Sequence, residues 1–238
     1  MTNYINHLSS EGYSYIPGEY YTNLNEINTY VKNDYLQELR NGYNNLTLDP
    51  YSLGNRLRGY SQCKRLEDET LIFGHFTPYK QTKKYNPDTG DIVRNYPLLP
   101  KSITENIILQ FLLKDDIRFI EKYGKIGKLN NLTIGIHLFR YQAKFDSPAY
   151  SSPVWLHKDD EDVVFVHLIN SSSNMLGGDN LIASTPKKIE RVLRLQNPFD
   201  TLVVNHDKYH AVTPVGCSIN GEIATRDIIL VTFQKVDG

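Results

Sequence analysis

The stretch SSPVWLHKDDEDVVFVHL, residues 151–168, decides how the rest of the chain is read. At its centre stands His157-Lys158-Asp159, the one His-x-Asp in the sequence. Val154, Trp155 and Leu156 precede it and Val163, Val164, Phe165 and Val166 follow, a composition that favours β-strand. Side chains of a strand alternate between faces, so residues 157 and 159 point one way and Lys158 the other. An imidazole and a carboxylate side by side make two ligands for a metal such as iron(II). The same spacing also fits an unliganded strand edge. A third ligand from elsewhere in the chain separates the two readings.

The composition bounds the class of protein. With 238 residues, 40% hydrophobic and 22% charged, the chain has the size and balance of one globular domain. A net charge of −1 gives no pull toward nucleic acid or an anionic membrane surface. No apolar run approaches the roughly 20 residues that span a bilayer. The opening MTNYINHLSS lacks the basic-then-apolar plan of a signal peptide, so a cytoplasmic location is expected. Cys63 and Cys217 show neither metal-type spacing nor a disulfide framework. The tyrosines, concentrated in the first 150 residues, suit pocket walls and β surfaces alike.

Outward from the central stretch, strand patterns dominate residues 131–238. They fall at 132–142, 153–158, 162–170, 179–184, 191–195, 201–205, 208–214 and 226–234. Turns are expected at Gly177-Gly178-Asp179 and Asn197-Pro198. Short strands at such regular spacing predict a barrel or jelly roll, cupin-like in plan. Residues 1–130 read as a helical and hairpin extension packed on it within a single domain, so the fold class is mainly β with flanking helices. Residues 12–16 predict a short strand, and Leu24, Ile27, Val31, Tyr35 and Leu39 an amphipathic helix. The segment NRLRGYSQCKR, residues 55–65, places Arg56, Arg58 and Tyr60 on one face of a strand, there to bind an anion or to pair with acids. NPDTG at 86–90 predicts the turn of a hairpin between 83–85 and 92–96, whose second piece carries Arg94. After Pro100, Ser102-Ile103-Thr104-Glu105 has the capping-box pattern. Ile103, Ile107, Ile108, Phe111 and Leu112 then continue a helix toward Gly124.

The third ligand should lie on a late strand. His167 sits among core residues and reads as a packed, hydrogen-bonded histidine. His206 falls in the polar turn Asn205-His206-Asp207-Lys208 and reads as exposed. His210, ahead of Ala-Val-Thr-Pro at the start of a strand, completes a two-histidine, one-carboxylate triad with open positions for a bidentate cosubstrate and dioxygen. A dioxygenase using 2-oxoglutarate also needs a cation for the far carboxylate of that molecule. Arg226 opens the apolar strand RDIILVTF, where a guanidinium is costly unless it meets an anion. Asp227 alternates to the other face. Trp155, Val164, Val166 and Leu230 are expected to wall a dry interior, with Asp160 and Glu161 as solvated surface. Two rivals share part of this pattern: a non-catalytic, cupin-like binding barrel, and a zinc hydrolase. Neither calls for Arg226 aimed at the metal.

The segments SSPVWLHKDDEDVVFVHLIN, GGDNLIA, HAVTPVG and RDIILVTF resemble the bacterial iron(II)/2-oxoglutarate-dependent hydroxylases of free L-amino acids. The likeness is strong over residues 131–234 and traceable upstream through Arg56, Arg58, Tyr60, Val93-Arg94 and Phe139-Arg140-Tyr141. It implies a double-stranded β-helix core, iron(II), 2-oxoglutarate and dioxygen, and hydroxylation of a free aliphatic L-amino acid. Isoleucine is the expected substrate, with leucine, methionine, valine, a polar amino acid or another small molecule as alternatives. His157, Asp159 and His210 then match the iron ligands, Arg226 matches the 2-oxoglutarate arginine, and Tyr141 and Ser151 match positions near the active site. Arg56, Arg58 and Arg94 are candidates, on charge alone, for the substrate carboxylate. The N-terminal third and Tyr150 depart most from the pattern.

Overall fold

A computed structural model describes residues 1–24, 34–52, 54–87, 89–129 and 132–235. Its helices are α1 (Thr2–Glu11), α2 (Gly18–Thr22), α3 (Tyr35–Gly42), α4 (Lys101–Thr104) and α5 (Ile107–Tyr123). The early strands are β1 (Tyr13–Ile16), β2 (Thr47–Leu48), β3 (Arg56–Arg65), β4 (Leu71–Gly74) and β5 (Leu132–Ala143). The later ones are β6 (Val163–Ser171), β7 (Met175–Gly177), β8 (Asn180–Thr185), β9 (Lys188–Leu193), β10 (Thr201–Asn205), β11 (Tyr209–Val212), β12 (Val215–Cys217) and β13 (Ala224–Lys235).

An eight-stranded sheet runs β1-β10-β6-β13-β5-β3-β2, with β4 on β3. A second layer comprises β11-β8-β9 and the pair β12-β7. All of the pairings are antiparallel, as the jelly roll expected from the sequence requires. The large sheet takes β1 to β4 from the first 130 residues, so it runs across that boundary.

Strand alternation sorts the sheet into two faces. On one, Ile134, Ile136 and Leu138 of β5, Ile229, Val231 and Phe233 of β13, and Phe165 of β6 join the helices in one buried cluster. Phe119 of α5 meets Phe165 edge to face, ring centroids 5.3 Å apart. Each such buried side chain contributes roughly 1.5–3 kcal/mol. The other face is a register of rows across β3, β5 and β13. Arg56, Tyr141 and Arg226 form the first, then Arg58, Phe139 and Ile228, then Tyr60, His137 and Leu230. This face packs against the second layer, where Ile182 and Val215 share a cluster with Phe139, Leu168, Leu202 and Ile228.

Asp227 alternates to the helix side, as expected, and there closes a buried pair. Arg140 donates to it through Nε (2.7 Å) and Nη2 (2.8 Å), and through Nη1 to Asn44 Oδ1 at 2.6 Å. Asp227→Ala leaves the buried Arg140 without its anion and is expected to cost ~3 kcal/mol of stability. A chemical denaturation midpoint measures it, and a loss below ~1 kcal/mol would show the pair to be dispensable.

Several local expectations are corrected. No paired strands form at 83–85 and 92–96; Gly90 N donates to Asn86 O at 2.8 Å, and a single bridge joins Arg94 to Tyr79. The capping box at Ser102 is not used. Lys101–Thr104 is one short turn, and α5 starts after Asn106, whose side chain accepts from Ile108 N and Leu109 N. Of the helix expected between Leu24 and Leu39, residues 25–33 lie outside the described residues, while α3 begins at Tyr35 and buries Leu36 and Leu39. The strand expected at 191–195 lies earlier, at Lys188–Leu193.

Candidate metal centre and its cavity

Residues 153–158 are not a strand. His157 makes one isolated bridge, its N–H donating to His210 O at 3.0 Å and its carbonyl accepting from His210 N at 2.9 Å. The acidic run that follows satisfies loops rather than a ladder. Asp160 Oδ2 accepts from Thr82 N (2.6 Å), and Asp162 Oδ2 from Lys235 N (2.7 Å). Val154 and Trp155 consequently face solvent, and Trp155, 56% exposed, does not wall the interior. Val164, Val166 and Leu230 do line it.

The bridge nevertheless brings the three expected ligands together. Donor atoms of His157, Asp159 and His210 all lie within 4.8 Å of one another. Asp159 Oδ1 is 3.5 Å from His157 Nε2, and Oδ2 is 3.1 Å from His210 Nε2. Two ligands at right angles on one ion, each about 2.1 Å away, stand about 3 Å apart. His157 Nδ1 donates to Trp155 O at 2.7 Å, which leaves the Nε2 lone pair toward the centre. Burial opposes ionisation of Asp159, yet the His210 and His157 rings hold it well below the usual carboxylate range. Burial likewise works against a charge on His210, but Asp159 outweighs it and raises that histidine. His206 is half-buried rather than exposed, and its Nδ1 bonds the Asp159 carbonyl at 2.9 Å, tying down the ligand's backbone. His167 is the packed histidine expected, between Thr201 Oγ1 (2.8 Å) and Asp116 Oδ2 (2.9 Å).

Arg226 enters the same cavity from β13. It is 1% exposed, and its Nε, Nη1 and Nη2 have no hydrogen-bond partner among the described residues. The Tyr141 ring lies 5.9 Å from the guanidinium carbon. Gly178, at φ +73°, makes room for it: a Cβ there would stand 3.1 Å from Arg226 Cδ. A guanidinium stripped of water and of partners is costly, and burial lowers its pKa. The arrangement is a socket for an anion that the chain itself does not supply.

The other candidates line the cavity with different freedom. Arg56 is committed, Nε at 3.1 Å and Nη2 at 2.5 Å from Asp49 Oδ2. Arg58 donates to Tyr96 OH (2.8 Å) and to His137 Nδ1 (2.6 Å), with the Tyr96 and Phe139 rings 4.2 and 4.7 Å from its guanidinium carbon. Burial, and then the neighbouring arginines, keep His137 well below its ordinary pKa, so its neutral ring can accept that bond. Arg94 donates to Gln81 Oε1 and to Thr89. Arg58 and Arg94 each retain a buried Nε without a hydrogen-bond partner among the described residues. Ser151 Oγ donates to Pro153 O at 3.1 Å, and Tyr141 is buried beside Arg226.

Glu161 was not legible as a site residue. It is 4% exposed, not solvated, and lines the cavity with Gln81 and Tyr79. Burial, followed by the charge of Asp159, pushes its pKa up to about 7. Its place in the acidic run Asp159–Asp162 reads as solvent-facing.

Comparison with known proteins accords with this geometry. The 2OG-Fe dioxygenase family profile matches residues 40–232. A 3(1)-hydroxy-L-isoleucine 4-dioxygenase of Pantoea ananatis (strain AJ13355) is 63% identical, with 99% of this chain and 96% of the relative covered. An L-isoleucine-4-hydroxylase of Bacillus thuringiensis is 42% identical over 81% of this chain and 80% of its own. The crystal structure of IDO from Bacillus thuringiensis matches with a TM-score of 0.84 and 34% identity over 99% of each chain. Between a dioxygenase, a non-catalytic barrel and a zinc hydrolase, these relationships decide for the first. The chain belongs to the 2OG-Fe dioxygenase family, enzymes that use iron(II), 2-oxoglutarate and dioxygen.

Proposed function

We propose that this enzyme hydroxylates carbon 4 of free L-isoleucine. His157, Asp159 and His210 hold iron(II), and Arg226 holds the far carboxylate of 2-oxoglutarate. The observation that carries this reading is Arg226 itself, a fully buried cation without a hydrogen-bond partner among the described residues, in the cavity that holds the triad. Donor spacing and the unpaired guanidinium both fit the two groups. Iron(II) and 2-oxoglutarate, when bound, would activate dioxygen, one oxygen atom of which would convert an unactivated C–H into C–OH while the other enters succinate as 2-oxoglutarate loses carbon dioxide. The chain's residues supply placement. Val164, Val166, Leu202 and Ile228 give an aliphatic side chain an apolar wall, and which carbon reacts is set by where that wall stops the chain. Tyr141 and Ser151 border this space. The names of the two relatives both place their reaction at carbon 4 of an isoleucine skeleton.

A second substrate follows from the Pantoea relative, whose name specifies an isoleucine already bearing a hydroxyl at position 3(1). Asn180 and Ser151 on the cavity wall offer polar contacts to such a group. We place the reaction in the cytoplasm; no described helix is long and apolar enough to cross a membrane.

The test has two stages. Anaerobic iron(II) with 2-oxoglutarate is expected to give the weak visible charge-transfer band of the chelate. An aerobic screen of the proteinogenic L-amino acids and 3(1)-hydroxy-L-isoleucine then follows succinate and a mass gain of one oxygen atom. The largest response is expected from the isoleucine skeleton, and turnover confined to peptides or simple carboxylic acids would overturn the substrate.

A further inference from the structure

Iron and 2-oxoglutarate account for His157, Asp159, His210 and Arg226, and leave a second set of charged groups in the same cavity unexplained. Glu161 is buried there, yet it has no ion-pair partner among the described residues. Besides its own backbone N–H, its side chain has one hydrogen-bonding neighbour among the described residues, the Gln81 amide, at 3.4 and 3.3 Å. No hydrogen bond joins it to the His157 or His210 ring, so it does not orient those ligands. A buried carboxylate with one long amide contact is as incomplete as Arg226 is, with the opposite sign.

Gln81 is fixed from its other end. Its Oε1 accepts from Asn86 Nδ2 at 3.0 Å and from Arg94 Nη1 at 3.1 Å. Two donors on the oxygen oblige the NH2 group to face Glu161. Beyond it, Arg94 is 5% exposed, its Nη2 held by Thr89 and its Nε buried and unpaired. Gln81 thus joins a cation and an anion along one wall of the cavity, each with unused bonding capacity. A free α-amino acid carries an ammonium and a carboxylate on one carbon, and so presents the complementary pair. Arg56 is less free, because its Nε and Nη2 both bond Asp49 Oδ2, a carboxylate that Arg58 also approaches at 3.7 Å.

Building on the amino acid reading above, we propose that Glu161 receives the ammonium of the substrate and Arg94 its carboxylate, with Gln81 holding the two apart. This clamp selects α-amino acids over the corresponding carboxylic acids and amines. It also gives charged side chains a use in a cavity for aliphatic carbon: one wall reads the head group while the other meets the side chain.

The test uses the intact protein with iron(II) and 2-oxoglutarate under nitrogen, with binding read by calorimetry and by the change in the charge-transfer band. The probes are L-isoleucine, 3-methylpentanoic acid, which lacks the amino group, and isoleucinol, which lacks the carboxylate. Glu161→Gln is expected to weaken isoleucine on the order of 100-fold while leaving 3-methylpentanoic acid unchanged or tighter. Arg94→Gln is expected to weaken isoleucine comparably and isoleucinol little. The 2-oxoglutarate affinity should be unchanged in both variants. If Glu161→Gln binds isoleucine within about threefold of wild type, or loses 2-oxoglutarate and both acids together, the clamp is overturned while the substrate stands. If wild type binds no free amino acid, the substrate assignment fails and the clamp with it.

Discussion

Replacing Asp159 with alanine is expected to abolish hydroxylation and to strip the protein of iron(II). Asp159 is the anionic member of the triad, and its two oxygens stand between the histidines, 3.5 Å from His157 Nε2 and 3.1 Å from His210 Nε2. Without it, two imidazoles remain on a single bridge between a loop and β11, with no charge to offset that of the ion. Loss of even an outer partner of a metal ligand costs ~10–100-fold in affinity, so loss of the ligand itself should exceed that range. Glu161 is not a ready substitute, since its carboxylate is turned to Gln81. Metal content after dialysis and the anaerobic charge-transfer band check the binding, and succinate formation checks the chemistry. Asp159→Glu keeps the charge but moves it by a methylene, so it should retain some metal with little coupled turnover. An alanine variant that kept a wild-type iron content would place the metal elsewhere.

What could be read from the sequence was whatever strand alternation controls. The opposite facing of Arg226 and Asp227 follows from period two, and the register of β13 against β5 realises it. The central stretch is instructive because its strand was wrong, yet its two side chains do come together with His210. His157 and Asp159 converge through one bridge to His210, since the side chains of Asp160 and Asp162 bond other segments. Misreadings arose where a partner lies far off in the chain or in a loop. The role of Arg56 depends on Asp49, just before a turn, and that of Arg94 on Gln81 and Thr89, in a segment whose hairpin does not form. Glu161 was lost to the habit of reading an acidic run as solvent-facing. Its burial depends on Gln81, eighty residues earlier, a contact that no local pattern records. The capping of α5 shows the same limit at short range. Ser102 and Glu105 have the right spacing, but Asn106 sits where the long helix begins, and its carboxamide takes both free N–H groups.

Arg226→Met is expected to separate binding of 2-oxoglutarate from stability, with opposite signs. The Arg226 guanidinium is fully buried beside Tyr141 and Gly178, with no hydrogen-bond partner among the described residues. Replacing a buried charge by an apolar side chain of similar length removes a desolvation cost, and such exchanges are neutral or stabilising by ~1–4 kcal/mol. The thermal midpoint of the ligand-free variant should therefore equal or exceed that of wild type. The cosubstrate tells the reverse. Losing one partner of a buried charge pair costs ~3–5 kcal/mol, which is roughly 100- to 1000-fold or more in the Kd for 2-oxoglutarate. Wild type at 2-oxoglutarate a hundred times its Kd should gain ~2.7 kcal/mol of stability, and the variant at that concentration almost none. Iron binding should persist, because Arg226 is no part of the cluster of His157, Asp159 and His210. Thermal melts with and without iron(II) and 2-oxoglutarate give all of these quantities from one preparation. A variant less stable without ligand that still gained the full shift with 2-oxoglutarate would make Arg226 a structural residue and move the cosubstrate to another cation. The inverse pattern, greater stability alone and no response to the cosubstrate, is what an anion socket at Arg226 requires.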